Sequence, residues 1–87
     1  MFSGLIAYFP DALREVSHVS WVGNEQHNNG EPLHWSRDKS SDHLDCAVRH
    51  LTDHSVNKFD TDGERHLAKA IWRLCARLQL DLEAEEK

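Results

Sequence analysis

The chain has 87 residues, 39% of them hydrophobic and 29% charged, with a formal net charge of −5. A chain this short makes one domain, residues 1–87, and buries only about 60% of the surface its unfolded form exposes, so its core is thin and association with copies of itself is a natural remedy. The acidity excludes a broad surface for a nucleic-acid polymer, which needs a basic stripe, but leaves room for a small phosphate ligand held by a few cations and a metal.

Residues 2–10 are apolar but lack the basic start and long apolar run of a secretory signal. Nothing reaches the roughly 18 apolar residues of a membrane span. Cys46 and Cys75 form no Cys-x-x-Cys pair, so both read as reduced core or near-core thiols in a cytoplasmic protein.

Pro10 and Asp11 mark a helix start: proline is free of cost in the first turn, and an acid there complements the dipole. Ala12, Leu13, Val16, Val19 and Gly23 then share one side, with Glu15, His18 and Glu25 on another, and the helix is expected to end between Gly23 and Gln26. Residues 27–40 carry turn chemistry without a sustained period; a loop of that length in a small domain is either functional or disordered, and His34-Trp35 in its middle argues against disorder. A second helix is expected from Ser40 or Ser41, either of which suits a cap, to about Val56. Leu44, Ala47, Val48 and Leu51 make its apolar face, with Asp42, Asp45, Arg49 and Asp53 opposite and His43, His50 and His54 flanking. Thr61 and Glu64 fit a capping box for a third helix. Its stripe, Leu67, Ile71, Leu74, Cys75, Leu78 and Leu82, is the clearest in the chain, and Arg65, Lys69, Arg73 and Arg77 turn elsewhere as a solvated face. The expected fold is all-α, a small bundle of three main helices assembled as an oligomer.

Chemistry concentrates between Asn24 and His54, where carboxylates able to carry a divalent ion, cations able to hold phosphate and an aromatic able to stack on a base occur together. Each signal also has a plain reading. Asp42 and Asp45, three apart on a helix, suit one ion or simply complement the dipole. His50 and His54 have i, i+4 spacing for a transition metal, but the zinc-peptidase acid after the first histidine is missing, which leaves hydrogen-bonded helix histidines as the default. Lys39 and Ser40 precede a helix start where a phosphate can be received, without a glycine-rich loop. Trp35 stacks on a purine or pins the loop to the core.

The run Gly23-Asn24-Glu25-Gln26-His27-Asn28, then Gly30-Glu31-Pro32-Leu33-His34-Trp35, Lys39-Ser40-Ser41-Asp42-His43, Asp45-Cys46 and Arg49-His50-Leu51 resembles the phage and bacterial dATP/dGTP diphosphohydrolase family, related to MazG-like all-α nucleoside triphosphate pyrophosphohydrolases. The later Asp60-Thr61-Asp62-Gly63-Glu64-Arg65-His66-Leu67 and Ala70-Ile71-Trp72 extend the likeness to roughly residues 10 to 82. The resemblance implies an enzyme that cleaves a purine deoxynucleoside triphosphate to its monophosphate and pyrophosphate with Mg²⁺ or Mn²⁺, as a homodimer or homotetramer, in the host cytoplasm if phage-encoded. The doubled glutamate and the Glu-x-x-Asp pair of MazG-like relatives do not occur in standard form. The acids that remain as expected metal ligands are Glu15, Glu25, Asp42 and Asp45, with Glu25, Asp42 and Asp45 catalytic. His27 and Trp35 are expected to frame the base, and Arg37, Lys39, Ser40, Arg49 and His50 to complete the substrate site. The competing class is a helical nucleotide-binding or oligomerisation module that has lost the reaction, which the irregular acidic motif favours.

Overall fold

The computed structural model describes residues 2–86. A π-helical turn, Phe2–Ile6, precedes three α-helices: α1 (Pro10–His27), α2 (His43–His54) and α3 (His66–Glu85). The described residues contain no strand. One antiparallel bridge pairs Phe59 with Arg65. The all-α expectation holds, and the chain divides into two units, residues 2–34 and 35–86.

In the first unit, Pro10 stands in the opening turn of α1 and Asp11 beside it. Both fit the end of a helix where amides lack partners and the dipole is positive. Leu13, Val16 and Val19 are half-buried while Glu15 and His18 are exposed, so the helical period read from the sequence matches the burial. The buried Asn24 closes the far end: its Nδ2 donates to the Glu31 carbonyl at 3.1 Å, and its own carbonyl accepts the Asn28 amide at 2.7 Å. Gly30, with φ +85°, makes the turn between them in the left-handed region that glycine enters freely.

In the second unit α2 packs on α3. Several expected boundaries move, each for a local reason. The second helix starts at His43, not at Ser40 or Ser41, and stops at His54. Ser40 does not cap it: its hydroxyl accepts a hydrogen bond from Arg73 at 2.9 Å. The third helix starts at His66 without the Thr61 and Glu64 capping box. Asp60 and Asp62 turn the chain instead, their carboxylates accepting the amides of Thr61 at 2.7 Å and Glu64 at 3.0 Å.

The larger correction concerns which face packs. Leu44, Val48 and Leu51 are exposed, and so are Leu67, Ile71, Leu74, Leu78 and Leu82, at 38 to 60%. The face that α2 turns inward is His43, Cys46, Ala47 and His50, met on α3 by His66, Ala70 and Arg73. Alanine and cysteine are small enough to leave space in a helix seam for imidazole rings and an arginine stem. Leucine stripes mark the most apolar side of a helix, but not its only packing side. The basic face expected to be solvated is therefore partly inside: Lys69 and Arg73 are half-buried. Of the two thiols, Cys46 is buried as expected and Cys75 is exposed.

Candidate functional site

The polar seam of the second unit holds two clusters. At the start of α2, His43 is only 1% exposed. Its Nδ1 lies 3.1 Å from Nη1 of Arg73, and the same nitrogen donates to Ser40. Arginine is always a donor, so His43 Nδ1 accepts and the proton sits on Nε2, which has no hydrogen-bond partner among the described residues. Burial, then the cations Arg73 and Arg77, hold His43 below its ordinary value and keep it neutral.

Asp42 stands just outside α2, with its carboxylate 3.9 Å from the Arg73 guanidinium and accepting the Cys46 thiol at 3.4 Å. The Cys46 hydrogen bond foremost, then its own backbone amide and the charges of Arg73 and Arg49, lower its pKa and keep it ionised. Asp45, exposed in the first turn, follows three residues on. Arg49, also exposed, reaches Cys46 Sγ at 3.3 Å. Trp35 meets Trp72 edge-to-face at 5.9 Å, and the Arg37 guanidinium sits 4.4 Å over the Trp35 ring while pairing with Glu83 at 2.6 Å. Lys39 is exposed.

The second cluster lies where the loop after α2 enters α3. His50 and His66 approach Nδ1 to Nδ1 at 3.0 Å, and Lys69 bridges Asp60 and Asp62 at 2.8 Å each. The Lys69 hydrogen bond is the first cause of a pKa of about 2 for Asp60. His50 is pushed below its ordinary value by burial, then by Lys69 and His66.

Among the expected site residues, Trp35, Arg37, Lys39, Ser40, Asp42, Asp45, Arg49 and His50 belong to this unit, and the fold ties Ser40 and Asp42 together through Arg73. Glu15, Glu25 and His27 stand on α1 in the other unit. Ten residues apart on one helix, Glu15 and Glu25 are separated by roughly 15 Å along the axis, so one copy of α1 does not offer both to the same ion. The residues that the sequence reading left out of the site are His43, Asp60, His66, Lys69 and Arg73. Their signal was present: charged and imidazole groups recur on α3 at 66, 69 and 73, a spacing of three and four that puts them on one face.

The chain matches the family model described as dATP/dGTP diphosphohydrolase, N-terminal, over residues 3–87. It belongs to this family. No curated protein and no solved structure matches it. For the diphosphohydrolase family, the matched region takes in all three helices and both polar clusters of the seam. No helix among the described residues is long and apolar enough to cross a membrane.

Proposed function

We propose that the chain serves metal-dependent hydrolysis of dATP or dGTP to the monophosphate and pyrophosphate. What carries the reading is the family match over residues 3–87, with the Asp42 carboxylate 3.9 Å from the Arg73 guanidinium beside it. A metal triphosphate brings both signs of charge, and this corner of the seam offers both. Hard oxygen donors suit Mg²⁺ or Mn²⁺, and Asp42, just before α2, and Asp45, in its first turn, supply them, so the donor types fit such ions. Glu15 and Glu25 on α1 are carboxylates of the same kind, proposed as ligands to separate ions within their own unit. Bound ions of this kind neutralise phosphate charge and acidify a water.

The chain's own groups do the rest. Asp42 is held ionised by the Cys46 thiol. Arg49, Lys39 and Arg37 steady the leaving pyrophosphate by charge, and Ser40 and His50 lie along the same seam. Glu25, on the first unit, is proposed as a carboxylate able to orient or deprotonate a water. Trp35, with Trp72 at its edge, is the proposed stacking face for the purine, and His27 is a proposed base contact on its own unit. The exposed leucines of α3 support assembly with copies of the same chain, and the setting is cytoplasmic. Because the matched description is of an N-terminal domain, a nucleotide-binding module without the reaction is the second reading.

A pyrophosphate-release assay with dATP and dGTP, each with Mg²⁺ and with Mn²⁺, tests the proposal. Release of pyrophosphate and deoxynucleoside monophosphate is the expected result. Inactivity with both nucleotides and both metals removes the enzymatic reading, and metal-independent nucleotide binding then supports the second one.

A further inference from the structure

We propose that His50, Asp60 and His66 form a second metal site, selective for a zinc-class transition ion and separate from the carboxylate set proposed for Mg²⁺ or Mn²⁺. Each of the three offers one ligand atom, and these atoms all lie within 4.8 Å of one another. The two imidazoles present Nδ1 to Nδ1 at 3.0 Å. Two nitrogens bound at about 2.0–2.1 Å in a tetrahedral sphere sit roughly 3.3 Å apart, so an ion needs the rings to part by only a few tenths of an ångström.

The three residues come from three pieces of structure held in fixed relation. His50 is on α2, Asp60 is in the connecting loop and His66 is the first residue of α3. The loop is closed by the bridge between Phe59 and Arg65, by the Asp60 amide on the Glu64 carbonyl at 2.8 Å and by the His66 amide on the Lys58 carbonyl at 3.0 Å. Gly63, with φ +85°, makes the reversal. His66 is buried and His50 and Asp60 are half-buried, so the ligands are ordered before any ion arrives.

The local charges balance: Asp60 and Asp62 contribute two negative charges, Lys69 one positive and Arg49, which acts on His50, another, so the proposal rests on the converging ligand atoms and not on net charge. Lys69 then acts as the outer partner that orients the Asp60 carboxylate, a role hydrogen-bonded groups around metal ligands commonly fill. Two imidazoles and one carboxylate suit Zn²⁺, Co²⁺ or Ni²⁺ over Mg²⁺, and three protein ligands leave a fourth position for water or a substrate oxygen. The alternative is a plain histidine–histidine hydrogen bond. With the Lys69 and Thr61 bonds that hold Asp60, it accounts for the same distances, and metal titration decides between the two.

The test is metal binding, read without nucleotide and so independent of whether dATP or dGTP is hydrolysed. Chelator-stripped protein is titrated with Co²⁺, followed by the visible absorption of tetrahedral cobalt, and with Zn²⁺ by calorimetry. One equivalent should bind with tetrahedral cobalt absorption, displaced by Zn²⁺ and not by excess Mg²⁺. His50→Gln and His66→Gln should each weaken Zn²⁺ binding at least about tenfold, while Asp42→Asn leaves it unchanged. His50→Gln, at the less buried position, serves if His66→Gln does not fold. Unchanged Zn²⁺ affinity in His50→Gln, absence of tetrahedral cobalt absorption, or displacement by Mg²⁺ overturns the proposal.

Discussion

Arg73 donates to the Nδ1 of His43, a fully buried ring, at 3.1 Å, and through the same nitrogen to Ser40 at 2.9 Å. One guanidinium thus sets the tautomer of the buried histidine and ties the loop before α2 to the middle of α3. Replacing Arg73 by Met keeps most of the stem and removes the donors, leaving His43 Nδ1 and the Ser40 hydroxyl without this partner. Stability should fall by about 1–3 kcal/mol, read as a lower urea midpoint with an unchanged slope.

Because burial and the nearby cations Arg73 and Arg77 outweigh Asp42, His43 binds a proton less readily in the folded chain than at its ordinary value of 6.5. Below that pH the unfolded chain takes up more protons than the folded one, so acidification favours unfolding. The contribution of His43 to stability is intact above pH 6.5 and declines as the pH falls toward its lowered folded value. In chelator-treated protein the melting temperature should drop between pH 7 and pH 5, and His43→Asn should show a smaller drop. His50, lowered in the same direction, accounts for a slope that remains. Asp60, at about 2, titrates below this window.

Asp42→Asn removes a charge from the proposed ion site without removing a cap, since the Asp42 side chain makes no capping bond to α2. Turnover of dATP or dGTP should fall by about 100-fold or more while the circular dichroism of the helices stays the same. Retained turnover would reduce Asp42 to a partner of the helix dipole.

Leu74 and Leu78 lie in the exposed stripe of α3, at 45% and 60% exposure. If copies of the chain meet there, Leu74→Glu with Leu78→Glu should convert the assembly to the 10.1 kDa monomer in light scattering. A wild-type chain already monomeric at high concentration would exclude that assembly.

Gly63 sits at φ +85° with nothing within 4 Å of the place a Cβ would occupy. The cost of Gly63→Ala is therefore conformational, about 1 kcal/mol, without a clash. Urea denaturation measures it, and the same variant should loosen the turn that joins Asp60 to His66.

The sequence carried the helices well, because amphipathic period and terminal residues are local signals. Pro10 started α1 where expected, and the leucine stripe traced α3 correctly. It failed on partnership. Ser40 had the chemistry of a cap, but a donor 33 residues away claimed its hydroxyl, and no local rule contains Arg73. The seam was misjudged for a related reason: apolarity ranks faces by transfer energy, whereas His43 is buried and His50 half-buried because hydrogen bonds to Arg73 and His66 offset their desolvation. The first cluster was partly visible, since Ser40 and Asp42 were singled out. The second was half missed, because His50 was matched with His54 four residues on and not with His66 across the seam.

The fully buried apolar side chains among the described residues are four alanines and one cysteine. Removing groups this small from water contributes little, at about 25 cal/mol per Å² of apolar area. If a second copy covers the bare leucines, as proposed, its binding free energy adds to that modest sum by mass action. Dilution would then be a denaturing condition, and a melting point quoted without a protein concentration would describe the solution as much as the polypeptide.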